Sequence, residues 1–258
     1  KESVYLMGLP EAGKSTLLAA LWYALDSGRT GSAYSLKEYR GDIGHLNDLR
    51  DEWIACKPLT RTPLEAGRFL ELTLLGAGGS QIELRIPDLS GESFRNQWIT
   101  RNIDAAQFEF SRKCSAAILV INANKVTPAA TIMEAHELIG ALGGNASAVV
   151  NAEAKIEPWD PVKTPTQVML VELLQALVSS IERGRPFRLA VVVAAWDVVP
   201  EGQTPRDWVA GNLPLLSQYL DSNSATITSE AVGLSAQGVS LPDEELRDRY
   251  PQFSGCSF

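Results

Sequence analysis

Apolar positions along the chain fall into short runs and into stretches with helical spacing. Residues 4–7 form an apolar run that predicts a buried strand, and the apolar positions of residues 17–25 recur at helical spacing until Gly28. Residues 69–75 and 82–86 both alternate between apolar and polar side chains, and a glycine-rich turn joins them. Two alternating runs with such a turn between them predict an antiparallel hairpin.

The second half of the chain continues the alternation of strands and helices. The continuous apolar run 116–121 predicts a strand covered on both faces, and residues 189–195 and 225–232 predict two more strands. Helical spacing over residues 166–183 and 205–220 predicts the intervening helices. This alternation predicts an α/β fold: a three-layer sandwich with a mostly parallel six-stranded sheet, one antiparallel edge hairpin, and helices on both faces.

Two segments carry no strong strand pattern, and we expect them to be insertions in a single domain spanning residues 1–258. Residues 29–60 contain one predicted helix, from residue 43 to 56. Residues 143–165 are rich in Gly, Asn, Ala and Pro and follow a predicted helix over 129–142. The chain does not begin with methionine, which leaves open that it is a segment of a longer protein.

Residues 8–15 match the spacing G-x-x-x-x-G-K-[ST] of a phosphate-binding P-loop, although a chance match in a glycine-containing turn is the alternative. The strand before it and the helix after it are the context that this motif requires. Glycines permit the tight turn, and successive backbone N–H groups then face an anion at the positive end of the helix. We expect Lys14 to reach the β- and γ-phosphates of a nucleotide and the Ser15 hydroxyl to bind Mg²⁺. The expected phosphate-binding residues are Gly8, Pro10, Glu11, Ala12, Gly13, Lys14, Ser15 and Thr16.

Further candidate residues lie at the end of the hairpin and just before it. Asp88 and Gly91 form D-x-x-G, in which the carboxylate can hold Mg²⁺ through water and the Gly91 N–H can sense a γ-phosphate; an ordinary strand-end turn is the alternative. Thr62 or Thr60 can supply a second oxygen to Mg²⁺, and the neighbouring prolines favour Thr62 over Thr60, although an ordinary loop threonine is the alternative. Because ligands of α/β sheets lie beyond the carboxyl ends of the strands, we expect these motifs to meet at one edge.

Composition narrows the classes of function. The net charge of −8 argues against direct binding to nucleic acid, because such proteins are usually basic. Three scattered cysteines without metal-ligand spacing indicate a reducing compartment, which we expect to be the cytoplasm. Only two histidines are present, so a histidine-based metal site or catalytic triad is not expected. No apolar run approaches the length that spans a membrane.

Together these motifs resemble the translation-factor-related class of P-loop GTPases, which contains the Ras-like switches. In that family N-K-x-D ends the fifth strand and S-A ends the sixth, and the corresponding residues here are Ala194-Ala195-Trp196-Asp197 and Ser235-Ala236. The resemblance implies a P-loop NTPase fold in which Asp197 accepts hydrogen bonds from guanine N1 and N2 and the Ala236 N–H meets O6. Alanines in place of the asparagine and lysine weaken that guanine specificity. The implied base-binding residues are Trp196, Asp197, Ser235, Ala236 and Gln237, with Trp196 either near the base or in the core.

More narrowly, the chain resembles the GTPase domains of the double-GTPase group of prokaryotic conflict and defence operons. The residues that carry this resemblance are Leu18-Ala19-Ala20-Leu21-Trp22, Arg61-Thr62-Pro63, Asp88-Leu89-Ser90-Gly91-Glu92, Trp196-Asp197 and Ser235-Ala236-Gln237-Gly238. The resemblance implies a GTP- or GDP-bound switch that controls protein partners in an antiviral or stress system.

Hydrolysis by such a switch depends on the residue after D-x-x-G, which is glutamine in Ras-like proteins and Glu92 here. A glutamate can accept a proton from water but is a poor neighbour for γ-phosphate charge, so we expect slow, Mg²⁺-dependent hydrolysis. Glu92 can equally interact with a helix dipole. The expected catalytic residues are Lys14, Thr62, Gly91 and Glu92. A pseudo-GTPase interaction module and an ATPase are the alternative functions.

Overall fold

The structure of the protein, a computed structural model, describes residues 2–27, 33–41, 43–57, 59, 70–76, 78–86, 91–129, 140, 160–181 and 186–236. Most of the predicted helix 129–142 and of the predicted loop 143–165 lies outside the described residues. The same holds for the predicted site residues Thr60, Thr62, Asp88 and Gln237.

Strands and helices alternate through the described part of the chain. The strands are β1 (Glu2–Met7), β2 (Tyr34–Gly41), β3 (Leu70–Gly76), β4 (Gln81–Ile86), β5 (Ala116–Asn122), β6 (Phe187–Ala194) and β7 (Ile227–Leu234). The helices are α1 (Lys14–Ser27), α2 (Ile43–Ile54), α3 (Glu92–Thr100), α4 (Ala105–Arg112), α5 (Thr166–Ser180), α6 (Pro205–Asn212) and α7 (Pro214–Ser222), with short 3₁₀ turns at Pro161–Lys163 and Trp196–Val198.

All of these strands belong to one seven-stranded sheet in the order β2-β3-β4-β1-β5-β6-β7. β1 pairs parallel with β4 and β5, and β6 pairs parallel with β5 and β7. The carboxyl ends of β4, β1, β5, β6 and β7 therefore meet at one edge of the sheet. β3 pairs antiparallel with β4, which confirms the predicted hairpin, and the predicted α/β fold class is confirmed with it.

The sheet has one strand more than the six that the sequence predicts. β2 pairs antiparallel with β3 at the edge of the sheet, inside the segment 29–60 that we expected to be an insertion without a strand. Its residues are nearly all exposed, and it carries Lys37, Glu38 and Arg40. A strand without a buried face lacks the alternation by which strands are recognised, and charged side chains are common on edge strands.

The sheet separates two apolar cores. Within β1, Tyr5 and Met7 pack in one core while Leu6 packs in the other, as the two-residue period of a strand requires. The first core lies under α5, α6 and α7, and the second lies under α1 and α2. Helices therefore cover both faces, as the sequence predicts.

One predicted helix is two helices in the structure. The span 205–220 divides into α6 and α7, which meet at Leu213. Leu213 has φ −134° and ψ 56°, which is not helical, and Pro214 begins α7. Proline is well suited to the first position of a helix because its missing N–H would be unpaired there, but within a helix it removes a hydrogen bond.

We expect Leu174→Ala, in α5, to lower the free energy of unfolding by about 2–5 kcal/mol, because the side chain is fully buried in the first core and its removal leaves a cavity. Urea denaturation measures this change. Leu215→Ala is the matched control, since Leu215 lies on a helix but is 39% exposed, and it should change stability by less than about 1 kcal/mol. Equal losses for the two variants would contradict the described packing of α5.

Candidate functional site

The turn between β1 and α1 is held in a tight shape by its glycines. Glu11 and Gly13 both have positive φ, 61° and 97°, in the left-handed region. A Cβ on Gly8 would lie 2.8 Å from the carbonyl oxygen of Val120, and one on Gly13 would lie 3.0 Å from the Cβ of Ala194. The turn therefore lies directly against the ends of β5 and β6, where a side chain at either glycine would not fit.

Lys14 is the first residue of α1, and its side chain folds back over the turn. The residue is only 2% exposed. Its ammonium donates hydrogen bonds to the carbonyl oxygens of Gly8, at 2.8 Å, and Leu9, at 3.1 Å. Ser15 and Thr16 follow in the first turn of α1 and are partly buried. A buried positive charge thus lies at the N-terminus of a helix, where anions are favoured.

The other predicted residues of the turn have different roles in its geometry. The Ala12 N–H donates to the Leu9 carbonyl at 3.2 Å, and Ala12 is buried. Pro10 has no N–H, so it can only contact a ligand and cannot donate to it. Glu11 is exposed and forms an ion pair with Lys125 at 3.2 Å.

Gly91, the glycine of the D-x-x-G motif, lies on top of this turn. It has φ 83°, and a Cβ there would lie 2.7 Å from the Gly8 carbonyl oxygen and would overlap the Lys14 ammonium. The structure therefore brings Gly91 and Lys14 together, although they are far apart in sequence. Glu92 begins α3 and is the acidic residue of its first turn, a position that also suits an interaction with the helix dipole.

Asp197 and Ser235 connect the loops that follow β6 and β7. Ala195 has φ 57°, and the 3₁₀ turn Trp196–Val198 then leaves Asp197 exposed beyond the end of β6. The Ser235 hydroxyl donates to the Asp197 carboxylate at 2.5 Å. This hydrogen bond joins the two loops that carry Asp197 and Ala236.

A cleft at the carboxyl edge of the sheet joins the turn to these two loops. Its lining includes Gly13 and Thr16 at one end and Asp197 and Ala236 at the other. Ala194 and Ala195, which stand where the resembled family has asparagine and lysine, line the cleft between them. Trp196 does not line it: the indole packs with the first core, and a Cβ on Gly233 would overlap its ring.

Two asparagines that the sequence analysis did not single out also line the cleft. The Asn122 side-chain amide donates to the Glu11 carbonyl at 3.1 Å, and the Asn124 N–H donates to the Asn122 side chain at 2.9 Å. Asn122 therefore holds the residue of the turn that has the unusual positive φ. Their position in the sequence could have identified them, because they lie within three residues after the buried run 116–121 and so at the same edge of the sheet as the predicted motifs.

The described residues offer little support for other chemistry. Among them no group of three or more His, Cys, Asp or Glu side chains is placed to hold a metal ion. Burial raises the pKa of the Cys114 thiol to about 12, so it stays protonated and unreactive at neutral pH. No helix within the described ranges is long and apolar enough to cross a membrane.

Several solved structures resemble this chain at low sequence identity. The mammalian SRP receptor is 11% identical over 98% of this chain and 100% of that chain, with a TM-score of 0.42. The signal recognition particle receptor SRb-GTP/SRX complex from Chaetomium thermophilum is 15% identical over 95% of each chain, with a TM-score of 0.39. The GTPase-like domain of S. cerevisiae Ski7, bound to GTP, is 12% identical over 90% of this chain and 42% of that chain, with a TM-score of 0.43. At such scores these similarities carry no argument about function.

No curated protein matches the sequence. A family model described as Double-GTPase 1 matches residues 5–255, which is nearly the whole chain and includes the turn, Gly91, Asp197 and Ser235. This match confirms the narrower of the two resemblances. The chain therefore belongs to the Double-GTPase 1 family.

Proposed function

We propose that this protein is a guanine-nucleotide-binding switch that hydrolyses GTP slowly with Mg²⁺. The observation that carries the proposal is the cleft that runs continuously from Gly13 and Thr16 to Asp197 and Ala236. One end of it lies at the turn before α1, next to the buried Lys14, and the other end has the Asp197 carboxylate and Ala236. Membership of the Double-GTPase 1 family supports the same conclusion.

The phosphate tail would lie at the start of α1. The amides of the turn from Gly8 to Gly13, together with Lys14, Ser15 and Thr16, would bind its oxygens. Lys14 supports this assignment because its ammonium is already at the turn, bonded to the Gly8 and Leu9 carbonyls. With one buried lysine and oriented amides, the site needs no excess of basic residues to bind a polyanion.

Mg²⁺ would be held by the Ser15 hydroxyl, with Thr62 and Asp88 as further ligands. Mg²⁺ in nucleotide sites commonly uses few protein ligands and several phosphate oxygens or waters, which agrees with a hydroxyl at the first turn of α1. The ion would neutralise charge on the β- and γ-phosphates. Gly91, Thr62 and Glu92 would sense or act on the γ-phosphate, and a glutamate in this position supports slow hydrolysis.

The base would lie at the far end of the cleft. Asp197 would accept from the N1 and N2 groups of guanine, and the Ala236 N–H would donate to O6. Ser235 supports this arrangement, because its hydrogen bond holds Asp197 beside the loop that carries Ala236. Gln237 would complete the loop, whereas Trp196 would support Asp197 from the core side.

A biological role can be proposed from the resemblance to the double-GTPase group of conflict and defence operons. We infer a cytoplasmic regulatory component of a prokaryotic defence or conflict system, with protein partners that contact the segments near Thr62 and Gly91. Few and scattered cysteines support a reducing compartment, and the net charge of −8 argues against direct contact with nucleic acid. One domain would span residues 1–258, with insertions near 29–60 and 143–165, of which the first supplies β2 and α2 to the fold.

Ala194 and Ala195 favour two other functions that experiment can distinguish. Without asparagine and lysine the site could accept adenine, which makes the protein an ATPase, or it could have lost turnover, which makes it an interaction module. Competition between ATP and GTP for the site identifies the first case. Phosphate release that depends on Lys14 rules out the second.

We expect Lys14→Ala to weaken GTP binding by about 10- to 150-fold, because it removes charge-assisted hydrogen bonds to phosphate oxygens. Isothermal titration calorimetry with Mg²⁺ measures this change. Lys113→Ala is the matched control: Lys113 is exposed and precedes β5, at the opposite edge of the sheet, and its loss should leave affinity unchanged. Thermal unfolding of both variants verifies that they remain folded. Unaltered affinity in a folded Lys14→Ala variant would refute the proposed phosphate site.

We expect Asp197→Ala to lower the affinity for GTP by at least about tenfold and to leave the affinity for ATP unchanged, because only guanine presents N1 and N2 donors to the carboxylate. Competition titrations with both nucleotides measure the ratio. Asp221→Ala is the control, because Asp221 is exposed in α7, before β7 begins, and does not line the cleft. An equal loss of affinity for GTP and ATP would contradict the proposal that Asp197 binds the guanine base.

A further inference from the structure

Trp53, near the end of α2, forms a hydrogen bond to the loop after β7. Its indole N–H donates to the carbonyl oxygen of Ala236 at 3.0 Å, and the contact is partly buried. The two residues are 183 positions apart in sequence, so only the fold brings them together. The bond joins the segment 29–60, which the sequence marks as an insertion, to one end of the cleft.

α2 is firmly attached to α1, which begins at Lys14. Leu46 and Leu49 of α2 are each 1% exposed.

Polar and aromatic contacts also join the two helices. The indole N–H of Trp22 donates to Asn47 at 3.0 Å, and the ring centroids of Tyr23 and Trp53 lie 5.4 Å apart. An Arg50–Asp26 ion pair at 2.7 Å joins the helices at the surface. The position of the Trp53 indole is therefore set relative to the helix that begins at the phosphate-binding turn.

The loop that Trp53 contacts is held from two sides. Ser235 bonds to Asp197 on the β6 side, and Ala236 bonds to Trp53 on the α2 side. Between these, Ala194 and Ala195 line the cleft without a polar side-chain atom. The Ala236 N–H and C=O belong to adjacent peptide planes that meet at its Cα, so a bond to the carbonyl restrains the N–H through the backbone of this one residue.

We propose that Trp53 is a positioning residue for recognition of the base. By holding the Ala236 carbonyl, it restrains the loop that carries the Ala236 N–H, the group that the proposed function assigns to O6 of guanine. This restraint comes from α2 and takes over part of the positioning that asparagine and lysine would provide from the loop after β6. This role rests on the proposed function, because it concerns the base end of the same cleft. It makes guanine selectivity depend on a helix outside the base-binding motifs.

The test compares Trp53→Phe with the wild-type protein. Phenylalanine keeps an aromatic ring beside Tyr23 and removes only the indole and its N–H. We expect GTP affinity to fall by about fivefold, the equivalent of about 1 kcal/mol for one neutral hydrogen bond, while ATP affinity stays unchanged. Hydrogen exchange of a peptide covering residues 234–236 in nucleotide-free protein should become faster, because the described part of the loop has lost its side-chain bond from α2.

Trp22→Phe is the matched control. It removes the indole hydrogen bond that joins α1 to α2, from Trp22 to Asn47, and Trp22 neither bonds to the loop after β7 nor lines the cleft. If Trp53 only held α2 on α1, both variants would change stability and nucleotide affinity in the same way. We expect Trp22→Phe to leave the ratio of GTP to ATP affinity and the exchange of residues 234–236 at wild-type values.

The outcomes separate the role of Trp53 from the proposed function. Equal changes of GTP and ATP affinity in Trp53→Phe, or unchanged exchange at residues 234–236, would overturn the positioning role while Lys14-dependent GTP binding still stood. A wild-type protein without preference for GTP over ATP would overturn guanine recognition and, with it, the selectivity assigned to Trp53. Faster hydrogen exchange of residues 234–236 in Trp53→Phe would then still show that the indole restrains the loop after β7.

Discussion

The candidate site depends on close backbone packing at three glycines, where no side chain would fit. Gly8 lies against the Val120 carbonyl, Gly91 lies against the Gly8 carbonyl, and Gly13 lies against Ala194. A Cβ at Gly8 or Gly91 would come within 3.0 Å of backbone atoms. The turn after β1 and the N-terminus of α3 can therefore lie this close to each other only because both positions are glycine. This crowding is what puts the Lys14 ammonium and Gly91 at one place.

The order of the strands brings these segments together at the carboxyl edge of the sheet. β1 lies in the middle of the sheet between β4 and β5, so its carboxyl end is flanked by the ends of both neighbours. The last residue of β5, Asn122, and the loop after β6, with Asp197, then line the same cleft, at the kind of crevice where open α/β sheets bind ligands. The Asn122 bond to Glu11 stabilises a non-glycine residue in the left-handed region, a conformation that is costly without such support.

The segment 29–60 is part of the architecture rather than a peripheral addition. β2 extends the antiparallel hairpin by one strand, and α2 covers α1 with the buried residues Leu46 and Leu49. Because the Trp53 indole also donates to the Ala236 carbonyl, this segment contacts both α1 and the loop after β7. The net charge of −8 gives the protein no overall positive field, and the buried Lys14 places a positive charge locally, beside Gly91.

The amino-acid sequence by itself determined the fold class, the hairpin, the position of the P-loop and the family, because these depend on local periodicity and on short motifs whose spacing is set by backbone geometry. It did not predict β2, whose exposed residues lack alternation, or the break at Leu213 between two helices that have similar patterns. Whether Thr62, Asp88 and Gln237 take part in the site stays a prediction. The contacts of Asn122 with Glu11 and of Trp53 with Ala236, and the packing of Trp196 against the core, were decided only by the tertiary structure. Each joins residues that are distant in sequence, and no local pattern of apolar and polar positions encodes which distant atom a side chain meets.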